Sequence, residues 1–380
     1  MSPPHRKKKL LAALSSALLA FLSVEIGLRI AGYAPLEAAL GGKGRVLRPS
    51  QDPLLGYELT PSTEGAGWGT HVEINSHGFR DSDYSKEKGE RRRICVIGDS
   101  IPFGNHLEPQ ETYPELLETE LRERGTRVPV DVLNLGVGGY DTVQEVAMLE
   151  RTGLGFDPDL VVLGFCVNDL GIVSVTMDHS WAEEDRENPL YLSRIAQGMR
   201  AFLGERKRRH ESSDWSSDEF YGRAFADQIA DIEGDLELRE LMAALRADLR
   251  IANQNPPDTA PLARRIPPRW FASAPRVGRF CFALDQLAAL SEEHGFESVL
   301  LFIPYLDEEP AFQHADRIVR HLAEARGITV LAVRDEFRAT GLEELRIDPK
   351  DPVHPDARGH AILARRLLEH TDTLGWFQPQ

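Results

Sequence analysis

The sequence predicts an α/β protein built on a three-layer, doubly wound parallel sheet. Two observations carry that expectation. Short apolar runs of strand length recur from residue 93 onward, and segments with apolar residues at helical spacing separate them. The first run is apolar throughout, as a strand buried on both faces of a parallel sheet is. It is Ile94-Cys95-Val96-Ile97, and it closes on Gly98-Asp99-Ser100. Tyr113, Leu116, Leu117 and Leu121 then recur at helical spacing with charges between them. Residues 130–135 read as the second strand, Thr142–Arg151 as a helix, and 160–165 as the third strand, with Pro158 just before it. After a long interruption the rhythm resumes with helix 280–294, strand 298–304, helix 311–326, strand 328–333 and a last helix over 357–369.

The 380 residues suffice for one large core or two modest ones. Apolar residues make up 42% and charged residues 27%, which argues against wholesale disorder. Lys and Arg number 44 against 60 Asp and Glu, a net charge of −16. That balance excludes nucleic acid as an expected partner, because phosphate binding needs a basic face. Cys95, Cys166 and Cys281 are an odd count at spacings that suit no zinc or disulfide framework. Cys95 and Cys166 sit inside apolar runs and read as small buried hydrophobes.

Four basic residues, Arg6 to Lys9, precede an apolar stretch over 10–24; Glu25 interrupts it, and Ile26, Gly27 and Leu28 follow. A bilayer span needs about 20 mostly apolar residues, so 10–28 is just long enough. We read residues 1–32 as a transmembrane anchor in preference to a cleaved signal peptide, with the basic cluster on the cytoplasmic side. Either reading exports the rest of the chain, to the periplasm or the cell exterior. It stays on the membrane if the segment is retained, and is secreted if it is cleaved. Residues 33–92 look like an irregular lead-in punctuated by prolines and glycines, with a short strand-like alternation at Val72-Glu73-Ile74-Asn75. Residues 93–380 form the expected α/β domain. Within it, 171–275 reads as a helical insertion, with charged helix-like pieces at 194–209 and 220–249 and a proline-rich linker over 256–268.

Four places carry candidate chemistry. Ser100 follows an apolar strand through a glycine turn, where open parallel sheets present their ligands. The alternative for Asp99 and Ser100 is capping of the next helix. A serine nucleophile needs a base. Asp351-Pro352-Val353-His354 places a carboxylate three residues before an imidazole, within reach of its Nδ1–H, which leaves Nε2 for the serine proton. The alternative is a surface loop before a helix. His360 reads as structural. Donors for an oxyanion are available in the glycine-rich loop Asn134-Leu135-Gly136-Val137-Gly138-Gly139-Tyr140 and in the Asn168 amide of Val167-Asn168-Asp169. A plain turn and a helix cap are the alternatives there.

Taken in order, Gly-Asp-Ser, Asn-x-Gly-x-x-Gly, Asn-Asp and Asp-x-x-His resemble the four signature blocks of the GDSL/SGNH hydrolases. Ser100-Ile101-Pro102-Phe103-Gly104 extends the likeness of the first block. The resemblance covers roughly residues 93–170 and 280–370. It implies a flavodoxin-like fold with Ser100 as nucleophile, His354 as base and Asp351 as its orienter. It also implies an oxyanion hole of the Ser100 N–H, the Gly139 N–H and the Asn168 side chain. The choice of Gly139 over Gly138 rests on counting five residues from Asn134. The chain departs from the family at Cys166, where glycine is common, and in the insertion. The implied activity is ester hydrolysis through an acyl-enzyme, with no metal or organic cofactor. The implied substrate is an acylated glycan, lipid or small ester, with carbohydrate O-deacetylation favoured by analogy. An O-acyltransferase using the same residues and a non-catalytic envelope binding or scaffold protein are the rival readings.

Overall fold

A computed structural model of the chain describes residues 3–30, 46–52, 54–67, 69–170, 226–254, 271, 274–308 and 310–376. The N-terminal part opens with one continuous helix, α1 (Pro3–Ile30). Two short antiparallel pairs follow, β1 (Leu47–Pro49) with β2 (Tyr57–Leu59) and β3 (Thr63–Gly67) with β4 (Thr70–Ile74). The main run is β5 (Arg92–Gly98), α2 (Ser100–Phe103), α3 (Tyr113–Arg124), β6 (Val130–Asn134), α4 (Thr142–Arg151) and β7 (Leu160–Cys166). After it come α5 (Ala226–Gly234), α6 (Leu236–Gln254), α7 (Ala274–His294), β8 (Glu297–Ile303), α8 (Pro310–Glu324), β9 (Thr329–Ala332), α9 (Arg334–Thr340) and α10 (Ala357–Thr373).

Strands β5 to β9 form one sheet in the order β6-β5-β7-β8-β9, and every neighbouring pair is parallel. Numbered from its own first strand, that order is 2-1-3-4-5, the flavodoxin-like winding, with its reversal between β5 and β7. Helices cover both faces, so β7 is buried at all seven positions and β5 at six. The three-layer α/β expectation therefore holds. The helices form where the periodicity places them. Tyr113, Leu117 and Leu121 turn one buried stripe of α3 to the sheet. Asp141 caps α4 by accepting from Val143 N and Gln144 N, and Asp356 caps α10 in the same way. Gly98 ends β5 where backbones meet closely. A Cβ there would lie 2.9 Å from Gly164 O and 2.6 Å from Pro102 Cγ, so only hydrogen fits.

Several stretches differ from expectation, the last helix among them, which runs to Thr373 rather than 369. The lead-in is more regular than its prolines imply, because β1 to β4 lie in it. Val46, Leu55, Tyr57, Leu59, Val72 and Phe79 join the same buried core as the sheet. Arg93, 1% exposed, binds this segment to the sheet by donating to the carbonyls of Ser85, Lys86 and Glu87 and to Phe156 O. Helix α7 starts at Ala274 rather than 280, because Pro275 in the first turn needs no N–H partner. The charged piece expected over 220–249 is described from Ala226 and breaks at Gly234, where Asp235 Oδ1 accepts from Leu238 N and restarts the helix. The piece at 194–209 and the linker at 256–268 lie outside the described residues. So do several side chains of the apolar run 10–28. Among the described residues no helix is long and apolar enough to cross a membrane.

Candidate active site

Ser100 is the first residue of α2, immediately past the carboxyl end of β5 and beside the sheet's reversal. Its hydroxyl lies 2.8 Å from His354 Nε2, although 254 positions separate the two residues. His354 Nδ1 lies 2.6 Å from Asp351 Oδ2. The carboxylate holds the ring proton on Nδ1, which leaves Nε2 as the acceptor for the Ser100 hydroxyl. The other oxygen, Asp351 Oδ1, accepts the backbone N–H groups of Val353 and His354. Partial burial pushes the Asp351 carboxyl upward, but the His354 hydrogen bond, its charge and the two backbone donors outweigh that and hold it below its ordinary value.

Neighbouring loops fix this segment. Asp351 N donates to Asp348 O, Leu306 N after β8 donates to Pro352 O, and Arg346 Nη2 donates to Leu306 O. The loop that orients the imidazole is therefore tied to the sheet's carboxyl edge, where Ser100 also sits.

The candidate oxyanion donors flank Ser100 on both sides. The glycine-rich loop after β6 is anchored when Val137 N donates to Gly98 O. Gly139 there has φ 91°, a left-handed conformation that favours glycine. Tyr57 Oη donates to Gly138 O, so the lead-in holds this loop from outside. Asn168 follows β7, and its Nδ2 donates to Asp99 Oδ2 at 2.6 Å. That bond uses one amide hydrogen and fixes the amide with nitrogen, not oxygen, toward the site.

The structure thus brings Ser100, His354, Asp351 and Asn168 into one connected set, with the Gly139 loop hydrogen-bonded beside it. Sequence reasoning missed two neighbours. Asp99, read only as a cap, does accept from Ile101 N, but it also holds Asn168 and lies 3.1 Å from Ser100 Oγ. Asn105 places Nδ2 3.3 Å from His354 Nε2. Its place shortly after Ser100 was the available signal. Cys166 is buried, and burial pushes its thiol well up, so it remains a neutral thiol at the end of β7. His360, read as structural, is fully buried and accepts from Tyr113 N. Among the described residues, the group spaced to hold a metal ion is Glu64, His71 and Glu73 on the β3–β4 hairpin, all exposed.

The sheet order, and the polar residues gathered where it reverses, define an α/β protein of the SGNH-hydrolase fold. The chain belongs to the GDSL-like lipase/acylhydrolase family, whose model matches residues 96–362, and it is a hydrolase acting on ester bonds. An acetylxylan esterase from Geobacillus stearothermophilus is similar in structure, with a TM-score of 0.41 and 15% identity over 76% of this chain and 97% of its own. A lipase/acylhydrolase from Enterococcus faecalis gives 0.40 at 15% identity over 76% of this chain and 98% of its own. No curated protein matches the chain in sequence.

Proposed function

We propose that the chain cleaves carboxylic esters in two acyl-transfer steps through Ser100. One observation carries this reading: the path from Ser100 Oγ to His354 Nε2 and from His354 Nδ1 to Asp351, at 2.8 and 2.6 Å. In the first step Oγ attacks the ester carbon as Nε2 takes its proton. The N–H groups of Ser100 and Gly139 and the Asn168 amide receive the oxyanion. The imidazolium then passes its proton to the departing alcohol, leaving an acyl-Ser100 ester. In the second step His354 takes a proton from water, the hydroxide attacks the acyl carbon, and the acid leaves as Ser100 regains its proton.

The substrate in this proposal is an O-acylated, chiefly O-acetylated, carbohydrate outside the cytoplasm. The basic cluster Arg6 to Lys9 ahead of the apolar run 10–28 supports export, with α1 as the anchor. A fluorophosphonate probe tests the chemistry. It is expected to label the wild-type protein but not Ser100→Ala, and that variant is expected to lose turnover by about 10⁶-fold. Equal labelling of both proteins would remove Ser100 as nucleophile.

A further inference from the structure

Three observations single out Asn105. Its Nδ2 lies 3.3 Å from His354 Nε2, the nitrogen that already faces the Ser100 hydroxyl at 2.8 Å. A neutral imidazole has one lone pair there, so the longer contact is the weaker claim on it and the Asn105 N–H is under-used. The Asn105 Oδ1 is buried with no hydrogen-bond partner, so nothing on that side ties the amide down.

The backbone beneath it is held firmly. Asn105 N donates to Ser100 O. Arg80, 3% exposed, donates to the carbonyls of Phe103, Gly104 and Leu107, on both sides of Asn105. The site thus has a rigid base and an amide donor without a strong acceptor, placed against the nitrogen that moves the proton.

The chemistry supplies an acceptor. Collapse of the tetrahedral intermediate breaks the bond from carbon to the alcohol oxygen. The electron pair stays on that oxygen, and the proton on Nε2 passes to it. The leaving oxygen must therefore come within about 3 Å of Nε2. A donor 3.3 Å from Nε2 is within reach of an oxygen that approaches this nitrogen from the Asn105 side. We propose that Asn105 Nδ2–H donates a hydrogen bond to the leaving alcohol oxygen, a catalytic role for Asn105 alongside His354. No proton leaves the amide; it lowers the charge that builds on the oxygen before His354 delivers its own. This rests on the acyl-enzyme reading above.

The role predicts a dependence on the leaving group. A nitrophenolate carries its charge on departure, whereas an alkoxide needs stabilisation. The test measures kcat/KM, which reports acylation alone, for p-nitrophenyl acetate and for an alkyl acetate. Asn105→Ala and the isosteric Asn105→Asp, which lacks the donor, are compared with wild type. Both variants are expected to lose about tenfold more on the alkyl ester than on the nitrophenyl ester, the worth of one such hydrogen bond. Equal losses on the two esters would make Asn105 merely a support for His354, and no loss would remove it from the site; either overturns the proposal. Fluorophosphonate labelling, which needs no alcohol to depart, separates the two levels. If the wild-type protein is not labelled at Ser100, the underlying reading fails; if it is labelled while the losses are equal, only the role of Asn105 fails.

Discussion

Asp351 divides its two oxygens between tasks: Oδ1 accepts two backbone N–H groups and Oδ2 faces the imidazole. That division makes Asp351→Asn an informative change. The amide oxygen would keep the backbone donors, which would turn the NH₂ toward His354 Nδ1. The ring would then carry its proton on Nε2, where Ser100 needs a lone pair. We expect turnover to fall by about 10⁴-fold with the fold intact, because the tautomer is wrong while the geometry survives. Steady-state rates with a circular dichroism spectrum check this, and a loss below tenfold would refute it. Asp99 illustrates a different division. It was legible as a cap because a cap acts over two residues, but its bond to Asn168 spans 69 positions and depends on β5 lying beside β7.

At the scale of elements, the apolar runs and helical stripes located all five strands of the central sheet to within two residues at each end. The lead-in was harder to read. Its strands are three to five residues long; the alternation at 72–75 marked β4, but β1, β2 and β3 are too short or too glycine-rich for a period to register. The apolar run 10–28 proposed as the anchor would extend roughly 28 Å at 1.5 Å per residue, close to a hydrocarbon core of about 30 Å. If it anchors the chain as proposed, deleting residues 1–32 moves the protein from the membrane pellet to the soluble fraction while esterase activity is retained. Cell fractionation of both forms decides the matter, and an unchanged distribution would exclude the anchor.

The whole molecule carries a built-in sensitivity to acid at His360. Burial, reinforced by the charge of His354, lowers this histidine to about 3. The folded state therefore holds it neutral, with Nδ1 accepting from Tyr113 N. An unfolded histidine takes up a proton below about pH 6.5, so the stability His360 confers is complete above that value. It declines as pH falls from about 6.5 toward 3, by at most about 1.4 kcal/mol per pH unit. In His360→Asn the amide oxygen can take the Tyr113 N–H without titrating. We expect that variant to show a shallower loss of urea-unfolding stability between about pH 7 and 4. Parallel slopes for the two proteins would show that His360 contributes nothing to the acid limb.

The fold class and the identity of the Ser100, Asp351 and His354 candidates were available from residue order alone. Apolar runs, caps and the Asp-x-x-His turn depend on interactions within a few residues, which a linear pattern records. Tertiary structure alone decided that Tyr57 holds the Gly138 carbonyl across 81 positions, that Arg93 stitches the lead-in to the sheet, and that Asn105 reaches His354 across 249. Those contacts follow from strand order and loop packing, and neighbouring residues in the sequence leave no trace of them because the partners meet only after the sheet has formed.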